Sequence, residues 1–273
     1  MGRRLTALIV CTHPGPTFAV TVFVGLLALS LGSPSIGLLA VVVIAVLSGQ
    51  MIVGWTNDLI DLPRDTAVRR LEKPLVRGDV SIRAVRICVM VGAVVCIVFS
   101  LLCGLVPGLI HLTLGVGMAL AYNLVLKSTL MSWLPYTVAF GAAPVVVSLT
   151  VADAMPPTST IAVGALLGFG AHLVNVLPDI ADDDATGVHG LAHRLPGRAV
   201  APLAAAALVS ASVIGLIGSG ILTGGGAPAA AGAMSLAVVF ALAGVTVTTS
   251  GRTPMYSAIA IAAVDVVVLL IAS

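Results

Sequence analysis

Charge is what this chain has least of. Thirteen basic and eleven acidic residues make up only 9% of its 273 positions, against about 25% in soluble domains. A charged, water-facing surface of ordinary density cannot be built from so few. Apolar residues supply 59% of the chain and the mean hydropathy is +1.17, which places it among polytopic membrane proteins. Cysteine is also sparse. Cys11, Cys88, Cys96 and Cys103 show no metal-ligand spacing, so they read as small apolar fillers and exclude a thiolate metal centre. No nucleophile triad stands out. Gly224-Gly225-Gly226 lacks both the strand-to-helix setting and the lysine of a phosphate-binding loop. The first apolar stretch follows Arg3 and Arg4 without a distinct cleavage region, so it reads as a retained helix and not as a secretion signal. A net charge of +2 gives no reason to expect a nucleic-acid partner.

What remains is long apolar runs separated by Pro, Gly and charge. Dividing the chain at these points predicts helices over 14–32, 36–56, 82–104, 107–126, 132–152, 160–177, 200–222, 228–249 and 254–272. Each approximates the ~20 residues that span the hydrocarbon core. Lysine and arginine mark the cytoplasmic ends of such helices. With Arg3 and Arg4 inside, nine crossings put every one of the 13 basic residues on the cytoplasmic side, while the opposite loops carry a single charge, Asp153. The expectation is an all-α polytopic fold, a single domain over 1–273. Nine transmembrane helices would surround a central cavity open to the cytoplasmic side, with the N-terminus cytoplasmic and the C-terminus outside.

The acids are not scattered. Seven of the eleven fall in two patches, Asn57-Asp58-Leu59-Ile60-Asp61-Leu62-Pro63-Arg64-Asp65 and Asp179-Ile180-Ala181-Asp182-Asp183-Asp184, each where an apolar segment meets a loop. Carboxylates crowded at a membrane boundary repel one another and resist desolvation, so they call for a cation. An oxygen-only donor set suits Mg²⁺. Asn57, Asp61 and Asp65 are spaced by four and form one stripe if the helix continues past residue 56, with Pro63 as a candidate bend. Asp179 and Asp183 repeat that spacing. Four predicted crossings separate the patches, which puts both on the same side, where they can face each other and hold Mg²⁺ against a diphosphate.

Basic residues follow the first patch at once: Arg64, Arg69, Arg70, Lys73 and Arg77. A diphosphate needs cations that carboxylates cannot provide. Lys73, Lys127 and, among the arginines, Arg69 are the candidate phosphate partners. His172 and Asn175 lie within a predicted span, one turn before Asp179. They line the site or bond a neighbouring helix. His111 and Asp265 read as structural hydrogen-bonding groups.

Asn57-Asp58-x-x-Asp61-x-x-x-Asp65, followed by Lys73-Pro74-Leu75 and Gly78, resembles the first signature of the UbiA-type membrane prenyltransferases, with Lys73 where arginine is usual. Asp179, Asp183 and Gly187, followed by Leu191-Ala192-His193-Arg194-Leu195, resemble the second. The resemblance implies a Mg²⁺-dependent transfer of a prenyl group from a prenyl diphosphate to a lipophilic acceptor, aromatic or quinone-precursor in class, through an allylic carbocation. It implies metal binding by Asn57, Asp61, Asp65, Asp179 and Asp183, with Asp61, Asp183 and Lys127 as catalytic residues. Asp58, Asp182, Tyr122 and Asn123 join Lys73, Arg69, Lys127, His172 and Asn175 as substrate-binding candidates. Membrane lipid is the other implied partner.

One departure bears on the site. The family spacing is YxxxK, but Tyr122 and Lys127 are five apart, about 140° around a helix, so they share a site only if the helix ends between them. Two competing functions stand beside transfer. One is a terpene cyclase on the same scaffold, against which the chain's few aromatic residues near the acids count. The other is a non-enzymatic membrane transporter or cation-binding protein, and a transporter places polar or broken helices near the bilayer midplane instead of gathering acids at one interface.

Overall fold

The computed structural model describes residues 2–180, 183, 187–223 and 225–272. Every element in it is helical, because in lipid only a helix satisfies its own backbone N–H and C=O groups within one segment. A short amphipathic helix, α1 (Gly2–Val10), turns through 68° into α2 (Pro14–Ser30). There follow α3 (Ile36–Ala67), the single turn α4 (Pro74–Arg77), α5 (Ile82–Leu102) and α6 (Leu105–Leu124). The second half comprises α7 (Leu134–Val151), α8 (Thr158–Val176), the turn α9 (Leu191–Arg194), α10 (Gly197–Ser219), α11 (Gly226–Thr248) and α12 (Thr253–Ala272).

Local chemistry sets several of these limits. Ser35 and Ser81 accept hydrogen bonds from the backbone N–H of Leu38 and Ala84 at 3.1 and 3.2 Å, each serving as an N-cap. Gly78 closes α4 in the left-handed conformation, φ 76°, which favours glycine. Within the spans, serine and threonine hydroxyls return to the carbonyl three or four residues earlier, as Thr56 does to Ile52 at 2.7 Å.

All nine expected segments are helical, but seven helices are long and apolar enough to cross a bilayer, or eight if the bent pair α1 and α2 counts as one span. The ninth, α12, runs over Thr253–Ala272, and its apolar stretch is described through Val268. The protein is therefore an all-α polytopic membrane protein with seven or eight candidate spans. Large apolar side chains point outward along α5, where Met90, Val91 and Val94 are about 60% exposed. Such a surface suits hydrocarbon and would be costly in water.

Successive long helices pack on one another, and α12 returns to α2, closing a ring in chain order. One tight seam joins α7 to α8. A Cβ placed on Gly164 would lie 2.4 Å from the Phe140 carbonyl oxygen, and one on Gly168 would lie 2.3 Å from that of Tyr136. These backbones touch, as small-residue seams in membranes permit. Elsewhere His111 Nδ1 meets Ser100 Oγ at 2.8 Å, which ties α6 to α5, and Asp265 on α12 is buried. The four cysteines are free, three of them buried.

Candidate active site

The site begins with the length of α3. At 32 residues it extends about 48 Å, well past a hydrocarbon core of about 30 Å. The first acidic patch lies on its last turns. The helix runs through Pro63 without ending, so Asn57, Asp61 and Asp65 do share one face, with Asp58 beside them. Asp58, Asp61 and Asp65 are all buried, at 2%, 7% and 2% exposure. Buried carboxylates demand partners.

Those partners come from both halves of the chain. Asp61 receives Arg64 Nη2 at 3.0 Å, Asn57 Nδ2 at 3.1 Å and the Lys127 ammonium. Arg64 continues to Asp183 Oδ1 at 3.8 Å. Asp65 lies 3.7 Å from Arg70 Nη1, and Arg70 Nη2 reaches Asp179 Oδ1 at 3.2 Å. Each arginine thus bridges an acid of one patch to an acid of the other, which brings the two patches together at one end of the bundle. Among the described residues these ion pairs cross-link the acid end of the bundle. His193 Nε2 stands 3.4 Å from Asp183 Oδ2. Burial pushes the Asp183 carboxyl up from its ordinary range, and Arg64 partly offsets that.

Lys127 reaches Asp61 because α6 stops in time. The helical stretch ends at Leu124, Val125 turns to φ −135°, and a single 3₁₀ turn over Leu126–Ser128 follows. The five-residue spacing from Tyr122 therefore no longer measures an angle around one helix. Asn123 is buried, donates to the Val53 carbonyl at 3.0 Å and receives Asn57 Nδ2 at 3.3 Å. That locks α6 to α3 beside the acids. Tyr122 stands edge-on to Tyr136, with ring centroids 5.2 Å apart, and 5.9 Å from His172.

His172 is 1% exposed and meets Ser132 Oγ at 3.2 Å, while Ser132 Oγ also accepts the backbone N–H of Leu191 at 2.9 Å. It binds the 125–133 and 187–194 loops to α8. Asn175 donates to the Tyr136 hydroxyl at 3.1 Å. Gly190 sits where a Cβ would lie 2.6 Å from the Lys127 carbonyl oxygen, so the second loop packs directly on the backbone that carries Lys127.

The arginine expectation shifts by one residue. Arg69 is exposed and forms no ion pair with these acids among the described residues, whereas Arg70 does. Arg69 adopts the left-handed conformation, φ 55°. That reverses the chain after α3 and turns Arg70 and Lys73 back onto it. Arg64 and Arg70, two of the basic residues that follow the first patch, stand at this end of the bundle, as do His193 of the second signature and two residues the sequence did not single out, His13 and Tyr136. Asp182 lies outside the described residues.

Among the described residues no group of three acidic, histidine or cysteine side chains is already arranged around a metal position, since cations occupy the intervening space. The donors nevertheless fit Mg²⁺: they are oxygens, and Asp65 Oδ1 is buried with no hydrogen-bond donor. Charge gives a second reason. Five carboxylates, on Asp58, Asp61, Asp65, Asp179 and Asp183, face four cations, on Arg64, Arg70, Lys73 and Lys127. A diphosphate entering alone would deepen that negative excess, and divalent cations entering with it would offset it.

Residues 18–262 match the model of the UbiA prenyltransferase family. Among solved structures, a UbiA homolog from Aeropyrum pernix K1, in its apo form, superposes with a TM-score of 0.70 at 18% identity, covering 94% of this chain and 95% of that one. A UbiA homolog from Archaeoglobus fulgidus bound to GPP and Mg²⁺ gives 0.73 at 12% identity, over 98% and 100%. A digeranylgeranylglyceryl phosphate synthase gives 0.69 at 16%, over 100% and 98%. No curated protein sequence matches.

Proposed function

The chain belongs to the UbiA prenyltransferase family, and on that premise we propose that it moves a prenyl group from a prenyl diphosphate to a lipophilic acceptor, aromatic or quinone-precursor in class. The observation that carries this reading is the meeting of the two acidic patches through Arg64 and Arg70. Such an arrangement gathers both metal donors and phosphate-binding cations at the membrane face. The Archaeoglobus fulgidus relative, bound to GPP and Mg²⁺, supports the donor class.

Asn57, Asp61, Asp65, Asp179 and Asp183 would hold Mg²⁺, which when bound supplies Lewis-acid stabilisation of a diphosphate leaving group. Lys127 and Arg64 give up part of their hold on Asp61 and turn their N–H groups to the phosphate oxygens. There they offset charge as the allylic C–O bond breaks. Arg70 and Lys73 do the same from the Asp65 side. Asp58, with one oxygen taken by Lys73 at 2.5 Å, serves the substrate through that lysine. The rings of Tyr122 and Tyr136 pack together beside His172 and would stabilise an allylic cation brought against them. His172, Asn175 and Asn123 fix the surrounding helices and loops. The acceptor and prenyl tail approach from the membrane, and the site faces the cytoplasm by the positive-inside rule, with the C-terminus outside and the whole chain as one domain.

Cyclisation keeps one supporting observation. The structure gathers Tyr122, Tyr136 and Phe140, although aromatic residues are few in the sequence. Purified protein in detergent, offered geranyl, farnesyl and geranylgeranyl diphosphates with a panel of aromatic acceptors, separates the outcomes. The expected result is Mg²⁺-dependent diphosphate release, lost on chelation, and a product whose mass is acceptor plus prenyl group. A terpene formed without acceptor would establish cyclisation instead. Release from no donor, with or without Mg²⁺, would overturn both.

A further inference from the structure

Asp58 belongs to the first acidic patch, yet its surroundings differ from those of its neighbours. It is 2% exposed, and the same oxygen, Oδ1, takes both Lys73 Nζ at 2.5 Å and His13 Nε2 at 3.0 Å. The two partners come from distant parts of the chain. Lys73 ends the loop that follows α3, and His13 occupies the bend between α1 and α2. Lys73 Nζ stands 3.5 Å from His13 Nε2 and 4.0 Å from Asp65 Oδ2, so the ammonium lies between Asp58 and an acid of the proposed metal set.

His13 is held there deliberately by the backbone. It has φ 55° and ψ 66°, a left-handed conformation that residues with a Cβ use sparingly. The bend is further fixed by Gly54, where a Cβ would lie 2.5 Å from the Thr12 carbonyl oxygen, and by Trp55 Nε1, which donates to the Leu8 carbonyl at 3.0 Å. The α1–α2 bend is therefore seated on α3 one turn from the metal-binding stripe. A lysine side chain is long and free to rotate, and a carboxylate shared with a second donor restricts where its ammonium can stand.

We propose that His13 is a positioning residue for the diphosphate: it shares Asp58 with Lys73 and so fixes the Lys73 ammonium beside Asp65, where an incoming phosphate oxygen meets it. His13 acts through Asp58 and Lys73 and does not touch the reacting atoms. This rests on the reading of the acidic end as a prenyl diphosphate site.

The test combines steady-state kinetics with calorimetric binding of inorganic diphosphate in the presence of Mg²⁺, on the full-length protein in detergent. His13→Ala should raise KM for the prenyl diphosphate and weaken diphosphate binding by about tenfold, the scale of one charge-assisted contact, with kcat little changed. His13→Asn keeps a residue tolerant of the left-handed backbone but is too short to reach Asp58, so it should show the same defect even if the alanine variant folds poorly. His13→Gln restores the reach and should recover most of the affinity. In a Lys73→Ala background the His13→Ala change should add nothing, because residues acting through one contact are not additive. Equal affinity in wild type and the His13→Asn variant, or a full additional loss in the Lys73→Ala background, would overturn the positioning role alone. Absence of diphosphate binding by the wild type would instead overturn the reading of the site, and this inference with it.

Discussion

Asp61→Ala should reduce Mg²⁺-dependent diphosphate release by about a thousandfold or more, the scale on which loss of a preorganised electrostatic contact at a leaving group acts. Asp61 is heavily shared, holding Asn57, Arg64 and Lys127 together. Its removal takes away a proposed metal donor and also leaves two cations facing each other across a small gap. Those cations are partly exposed, at 20% and 14%, so water can solvate them and the bundle should remain folded. Asp61→Asn is the sharper variant because it keeps the shape and removes the charge. Activity should fall to a similar level, with a smaller change in melting temperature than for alanine. Asp183→Ala should share the loss, since Asp183 meets Arg64 from the opposite patch. Turnover at the wild-type rate in both the Asp61 and Asp183 variants would end the metal assignment.

The largest effect on stability is expected at the α7–α8 seam, from Gly168→Val. A Cβ at this position would lie 2.3 Å from the Tyr136 carbonyl oxygen and 2.8 Å from Phe140 Cβ. The first obstacle is backbone, which cannot rotate out of the way as a side chain can. Valine adds two methyl groups to that conflict, so α7 must move away from α8. Overpacking of this kind costs about 1–3 kcal/mol or more, and Tm in detergent should fall accordingly. Activity should fall with it, because Tyr136 and His172 sit on the two separated faces, with ring centroids 5.3 Å apart. Gly244→Ala on α11 is the control: a Cβ there meets nothing within 4 Å, and Tm should not drop. Equal melting of the Gly168→Val variant and wild type would show that the helices are not held at backbone contact.

Much of the scaffold was legible because its determinants are local. Apolar run length locates helices, and lysine and arginine mark their ends. The nine expected segments are all helical, with seven or eight candidate spans among the described residues, and the 68° bend between α1 and α2 is a feature that composition does not encode. The stripe of Asn57, Asp61 and Asp65 was legible from spacing once the helix was allowed to continue. His13 carried no signal, being 45 positions from Asp58 with no periodic relation to it. Tyr136 read as one more residue of an apolar span.

The sequence by itself determined the class, the helices, the two acidic patches and the motifs through which they resemble a family, since hydropathy, charge and spacing are properties of neighbouring residues. Only the tertiary structure decided which cation serves which acid. Arg70 and not Arg69 reaches across because the chain reverses at Arg69, and Lys127 reaches Asp61 because α6 ends at Leu124. Ion pairing acts through space and rewards any charge brought near, so partners are fixed where helix ends meet and not where residues stand in the chain.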